Sequence, residues 1–146
     1  MATISVTPAI GVKTIYLPPS DPSFPALALR VTSLVDSYML WVGVTDESVD
    51  SVDNAPLSGS LCKDWACAMP AAPNSTVLGP ATSLFRSSSS DVALSMAQRL
   101  ARRFRKQIFL SIDVPSTFQT TGEGSRLLLD AEKGIIDALK AVEIST

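Results

Sequence analysis

The residues that could do chemistry in this chain are carboxylates, hydroxyls and arginines, because the sequence contains no histidine. Histidine is the commonest general base, so its absence excludes a Ser-His-Asp or Cys-His catalytic arrangement. Paired carboxylates remain as acid and base candidates, namely Asp46, Glu47, Asp50 and Asp53. They fall in residues 46–60, a serine-rich stretch with few large apolar side chains, whereas catalytic groups need rigid surroundings. The sequence therefore predicts a flexible acidic loop over 46–60 and a protein that is not an enzyme.

Motifs for phosphate and metal binding are also weak. Residues 122–125 (GEGS) are too short for a phosphate-binding loop and lack its lysine, which favours a loop that ends in a helix cap. Cys62 and Cys67 lie close together without any histidine, which does not match a zinc site. We interpret them as thiols that are buried or half-buried near a strand. We therefore expect no cofactor and no metal.

One basic cluster stands out, since five of the twelve basic residues fall between positions 99 and 106. Arg99, Arg102, Arg103 and Lys106 follow the i, i+3, i+4, i+7 spacing that places side chains on one side of a helix. Such a stripe is either a solvated face whose cations complement the helix dipole, or a surface that meets an acidic partner. The stripe has no interleaved aromatic residues and the net charge is −2, so we expect no nucleic acid as a partner.

Length and composition indicate a single domain that spans residues 1–146. Apolar residues make up 46% of the chain, so either the core is large or another chain covers part of the surface. No window reaches the roughly 18 apolar residues that a membrane span needs. The start, residues 1–12, lacks the layout of a secretory signal. We expect a location in the cytoplasm, extending to the nucleus, and no membrane partner.

The elements that must position these residues follow from hydrophobic periodicity and turn signals. Strands are predicted over residues 12–17, 26–34, 37–44, 64–69, 75–85 and 107–114. Helices are predicted over residues 90–106 and 125–142, with Ser87 to Ser90 as candidate N-caps of the first. Strands come first, followed by helix, strand and helix. This order predicts an α+β fold with a largely antiparallel sheet of about six strands and two main helices.

The predicted central strand is apolar on both faces. Tyr38, Leu40 and Val42 share one face, and Trp41 lies on the other. Two helices can cover one face of the sheet; the other is covered either by the loops and the N-terminal strand or by a partner subunit, which we favour. The predicted partner-binding residues are Tyr38, Leu40, Trp41 and Val42 on the sheet, with Arg99, Arg102, Arg103 and Lys106 on the helix.

Three segments together resemble the proteasome assembly chaperone 4 family. Residues 36–43 (DSYMLWVG) resemble a strand of that family, and residues 93–111 (ALSMAQRLARRFRKQIFLS) are similar to its helix-strand unit. Residues 82–85 (TSLF) fit the family element that precedes this unit. The resemblance covers residues 26–45 and 75–114. The N-terminal extension, the acidic loop and the GEGS loop depart from the shorter members.

The resemblance implies an ATP-independent chaperone without catalytic residues, which forms a heterodimer with the related chaperone 3. Such a pair would hold an alpha-type subunit of the 20S proteasome, promote alpha-ring formation and leave before the particle is complete. The matched positions that we expect to set the fold and the dimer are Leu40, Trp41, Val42, Gly43, Leu100 and Ala101. The alternative function is a homodimeric adaptor or scaffold domain without a link to the proteasome.

Overall fold

The computed structural model of the chain describes residues 10–86, 91–119 and 122–145. Its strands are β1 (Gly11–Leu17), β2 (Ala26–Leu34), β3 (Ser37–Thr45), β4 (Asp64–Ala68), β5 (Ala81–Arg86) and β6 (Gln107–Asp113). Its α-helices are α1 (Val92–Phe104), α2 (Ser116–Gln119) and α3 (Glu123–Ile144). A 3₁₀ segment (Val49–Ser58) lies between β3 and β4.

All six strands form one sheet in the order β1-β2-β3-β6-β4-β5. Only the central pair, β3 and β6, is parallel, and the other four neighbouring pairs are antiparallel. The parallel pair requires a long crossover, which here contains the 3₁₀ segment, β4, β5 and α1. The predicted α+β fold with a largely antiparallel sheet is therefore confirmed.

Most predicted boundaries hold within two residues, with one clear exception. Asp36 adopts φ 53° in the predicted turn between β2 and β3, a left-handed conformation that aspartate tolerates. The strand predicted over residues 75–85 is wrong in its first half, because β5 begins only at Ala81. Pro80 immediately before it has no N–H for a ladder and instead accepts a hydrogen bond from the Met69 N–H (2.9 Å). The candidate caps Ser87 to Ser90 lie outside the described residues.

Helices α1 and α3 cover one face of the sheet, which we call the first face. The side chains at the centre of this layer are inaccessible to solvent: Leu29, Leu40, Val42, Met96, Leu100, Leu110, Ile135 and Leu139. They come from β2, β3 and β6 at alternate positions and from the helices at three- and four-residue intervals. These are the two periodicities from which the strands and helices were predicted.

Helix α3 approaches the sheet closely where it crosses β1. A Cβ atom on Gly134 would lie 2.7 Å from a methyl group of Leu17, so the glycine lets the helix and the strand meet. The close approach offsets the low helix propensity of glycine at this position. Within the described ranges, no helix combines the length and the apolar character that a bilayer crossing requires.

The connection between β1 and β2 is held against α3. Phe24 is buried, and the Arg126 guanidinium lies over its ring at 5.4 Å from the centroid. The Ser20 hydroxyl donates a hydrogen bond to the Asp130 carboxylate. Asp21 accepts a hydrogen bond from the Ser23 N–H, which lowers the pKa of its carboxyl. The proline-rich connection therefore contacts α3 through both Arg126 and Asp130.

The position of β6 at the centre of the sheet leads to a stability prediction. We expect Leu110→Ala to lower the free energy of unfolding by about 2–5 kcal/mol, because Leu110 is fully buried. Leu84→Ala makes the same change on the edge strand β5, where the side chain is 45% exposed, and should cost less than about 0.5 kcal/mol. Urea denaturation followed by circular dichroism measures both. Equal losses would contradict the central placement of β6.

Candidate protein-binding surfaces

The face of the sheet turned away from α1 and α3 is the second face, and strand register sets its rows of side chains. Trp41 lies opposite Arg30 of β2 and Ser111 of β6, and Ser111 lies opposite Trp65 of β4. The neighbouring row contains Met39, Phe109 and Cys67. Paired residues point to the same side of a sheet, so these rows run across the whole second face.

The chain itself covers the half of the second face that β1, β2 and β3 form. Val52 and Ala55 of the 3₁₀ segment are buried against Trp41 and Ala28. They are three residues apart, which is one turn of a 3₁₀ helix, so both face the sheet. Part of the predicted flexible acidic loop over residues 46–60 thus forms a 3₁₀ segment that packs on the sheet. The prediction that this half needs a partner as cover is therefore corrected.

The Trp41 ring fits into a space that two glycines leave open. A Cβ atom on Gly43 would lie 2.5 Å from Cζ2 of the indole, and one on Gly59 would be obstructed by the same atom. The Trp41 Nε1 donates a hydrogen bond to the Ser60 carbonyl (3.3 Å). Gly43, a family-matched position expected to set the fold, therefore makes room for the indole ring that lies against it.

Two polar residues of β6 fasten the segment after Gly59 to the second face. Asp113 is 8% exposed; it accepts a hydrogen bond from the Ser60 N–H (2.6 Å) and pairs with the Lys63 Nζ (3.0 Å). The Ser111 hydroxyl donates to the Leu61 carbonyl (2.7 Å). The sequence interpretation missed both residues. Their alternate positions in an otherwise apolar strand could have indicated that they share a face and bind a neighbouring segment.

The half of the second face that β4, β5 and β6 form has no comparable cover among the described residues. We call its four side chains the open patch: Trp65, Cys67, Phe85 and Phe109. Three of them are half-buried, and Phe85 is 48% exposed. The Trp65 Nε1 is buried and has no hydrogen-bond partner in the described parts of the chain. The open patch borders β5, whose outer edge pairs with no described strand.

The two cysteines differ in their surroundings. Cys67 is half-buried in β4, as predicted, and its Sγ lies 3.3 Å from the Gln107 Nε2. Cys62 is exposed, so the prediction of a buried or half-buried thiol is wrong there. Across residues 10–86, 91–119 and 122–145, no three side chains of the metal-ligating types converge on one point.

The predicted sheet residues lie deeper than a docking surface would require. Leu40 and Val42 are wholly buried under the helices. Tyr38 is also buried, and its hydroxyl donates to Glu143 and accepts from Lys106. Trp41 is 7% exposed beneath the 3₁₀ segment. A partner that docks on the folded chain therefore does not reach Leu40 and Val42, whereas Trp41 still lines a pocket on the second face.

The four residues of the predicted basic stripe fall into two groups, and two of them make salt bridges within the fold. Arg99 makes a two-pronged salt bridge to Glu132 of α3 (2.8 and 2.9 Å), a hydrogen bond that raises the pKa of its guanidinium. Lys106 donates to the Tyr38 hydroxyl (3.2 Å) and pairs with Glu143 of α3 (3.2 Å). The Tyr38 contact is the main cause of the raised pKa of Lys106, and Glu143 adds to it. Arg99 of α1 and Lys106, which follows the end of α1, therefore both bind this part of the chain to α3.

The other two cations of the stripe remain available. Arg102 and Arg103 are exposed, and neither pairs with a carboxylate in the described parts of the chain. Arg102 and Arg105 line a cavity of about 500 Å³ together with residues 70–75. We call this cavity the cationic groove. The prediction of one continuous four-residue stripe is corrected, because Arg99 and Lys106 form salt bridges within the fold.

Comparisons with known proteins agree with this geometry. The family model for proteasome assembly chaperone 4 matches residues 26–114. A solved chain from a crystal structure described as a novel chaperone complex for yeast 20S proteasome assembly has the same fold, with a TM-score of 0.58 and 22% sequence identity. The match covers 89% of this chain and 96% of that chain. No curated protein sequence matches this chain.

The glycine at position 59 gives a test of how Trp41 is held. We expect Gly59→Ala to destabilise the fold by about 1–3 kcal/mol, because the added methyl group would overlap the indole ring. The matched control is Gly11→Ala, where a Cβ meets nothing within 4 Å. Chemical denaturation gives the stability difference, and the indole N–H resonance of Trp41 reports the displacement. An unshifted resonance and an unchanged stability would contradict the tight packing described above.

Proposed function

The chain belongs to the proteasome assembly chaperone 4 family, and from that premise we propose how it works. In this proposal it pairs with a related chaperone of the chaperone 3 type, binds an alpha-type subunit of the 20S proteasome and promotes alpha-ring assembly without catalysis. The observation that carries the proposal is the open patch beside β5, an edge strand whose outer side pairs with no described strand, inside the range that the family model matches. We propose a location in the cytoplasm, extending to the nucleus.

Pairing with the sister chaperone is proposed at β5 and the open patch. An unpaired edge strand presents N–H and C=O groups that can join another strand, and β5 contains neither proline nor lysine to prevent this. Leu84 and Phe85 place exposed apolar surface on the same strand. An edge strand of a related chain could pair with β5, and the same contact would cover the open patch. Such pairing accounts for apolar side chains that this chain leaves uncovered.

Binding of the alpha-type subunit is proposed at the exposed cations, Arg102 and Arg103, with Arg105 beside them. Charged residues at the rim of an interface orient a partner and speed its encounter more than they increase affinity. An acidic surface of the client is the chemistry that these cations would recognise. Register places this region near the open patch, since Cys67 lies opposite Phe109 and residues 70–75 follow directly after β4. A client held at this end of the sheet would contact both chaperone chains.

The proposed pairing surface predicts the effect of charges on β5. With Leu84→Asp and Phe85→Asp together, we expect loss of the complex with a co-expressed chaperone 3 type partner, because two carboxylates would be buried without counterions. The matched control is Val49→Asp with Leu57→Asp, which places two carboxylates at exposed apolar positions of the 3₁₀ segment. Native mass spectrometry of the co-purified proteins measures the pairing. The proposal would be contradicted, and the adaptor alternative favoured, if the β5 variant still forms the complex or if the chain forms a homodimer in the presence of the partner.

The cationic surface predicts how client binding depends on charge. We expect Arg102→Glu with Arg103→Glu to weaken binding of a free alpha-type subunit about tenfold, through slower association, while pairing with the sister chaperone persists. Lys133→Glu with Lys140→Glu makes the same charge change at exposed positions of α3 and serves as control. Surface plasmon resonance at two salt concentrations measures both rates. If client binding is unchanged by the arginine substitutions and by salt, the two arginines belong to a solvated helix face and do not bind the client.

A further inference from the structure

A pocket on the second face is not used by either proposed interface. It has a volume of about 270 Å³ and lies between β2, β3 and the end of the 3₁₀ segment. Its walls are mainly apolar: Thr32, Met39, Trp41, Pro56 and Leu61. The volume is just below the range of about 300–1,000 Å³ that accommodates drug-sized ligands. A pocket of this size accommodates one large apolar side chain.

The walls of this pocket are fixed before anything binds. Trp41 donates to the Ser60 carbonyl, and Asp113 accepts from the Ser60 N–H. Leu61 is held through its carbonyl by Ser111 (2.7 Å). A ligand therefore does not have to order the wall on binding, and the entropic cost of filling the pocket is reduced.

One charged residue, Arg30, lines the pocket among the residues that the structure describes. Its side chain is exposed, and it makes no salt bridge within residues 10–86, 91–119 and 122–145. Asp113, the buried carboxylate on the same face, is already neutralised by Lys63 at 3.0 Å. The pocket thus combines an apolar interior with an uncompensated positive charge at its rim.

We propose that this pocket binds a segment of a partner protein in which a large apolar residue is adjacent to an Asp or Glu. The apolar side chain fills the space against Trp41 and Met39, and the neighbouring carboxylate accepts hydrogen bonds from Arg30. We assign a side-chain carboxylate rather than a chain terminus, because terminal carboxylates are captured by free backbone N–H groups. At this wall the N–H of Gly59 already donates to Pro56, and that of Ser60 to Asp113.

Peptide titration of the complete, unpaired chain tests this assignment without a proteasome subunit or a sister chaperone. The probes are acetyl-Gly-Phe-Glu-Gly-amide, its Gln analogue without the charge, and its Ala analogue without the aromatic side chain. We expect the first to shift the indole N–H resonance of Trp41 at about millimolar concentration. The Gln analogue should bind roughly two- to fivefold more weakly, as expected for an exposed ion pair. The Ala analogue should lose about tenfold or more.

Two variants distinguish a specific pocket from general adhesion. Arg30→Gln should reduce binding of the Glu peptide to the level of the Gln peptide and remove its salt dependence, without affecting the Gln peptide. Thr32→Phe, which fills the pocket, should block both peptides while the circular dichroism spectrum is retained. The proposal is overturned if the three peptides bind alike, if Trp41 does not respond, or if Arg30→Gln changes nothing. It is equally overturned if the chain alone self-associates through Arg30, since the occupant would then be a second copy.

Discussion

The central constraint on this molecule is a sheet whose strands are apolar on both faces. Each face must be removed from water, because exposed apolar surface of this extent is unfavourable for a soluble chain. Helices α1 and α3 cover the first face. On the second face the 3₁₀ segment covers only the half around Trp41, and the half around Phe109 and Trp65 has no comparable cover among the described residues. The proposed pairing follows from this unequal cover.

The cover over Trp41 depends on polar groups as much as on apolar contact. Asp113 and Ser111 lie in a central strand, where unpaired polar side chains would be costly to bury. Both are satisfied by backbone groups of residues 60 and 61, and Lys63 neutralises the charge of Asp113. The same contacts that fasten the segment also form the wall of the pocket at Arg30. Stabilisation of the fold and formation of the proposed binding pocket are therefore two results of one set of hydrogen bonds.

The arginine-rich end of α1 shows how tertiary contacts divide residues of one type. Arg99 and Lys106 face α3, where Glu132 and Glu143 meet them, so they hold the helix layer together. Arg102 and Arg103 turn to solvent and keep their charge available. Helical spacing in the sequence predicts all four on one side of a helix, but α1 ends at Phe104, before Lys106. The spacing also contains no information about the carboxylates of a helix that follows much later in the chain. Mutating the four as a group would therefore mix stability with binding.

The sequence alone determined the α+β order of elements, the apolar stripes of both helices and the first face of the sheet, because these depend on periodicity within single elements. It also identified the family through motifs that lie in β3, α1 and β6. Only the tertiary structure decided that Val52 and Ala55 cover Trp41, that β3 and β6 are parallel neighbours, and that Arg30 borders a pocket. These features join residues far apart in the chain, and a local pattern cannot specify which distant residue will be its neighbour.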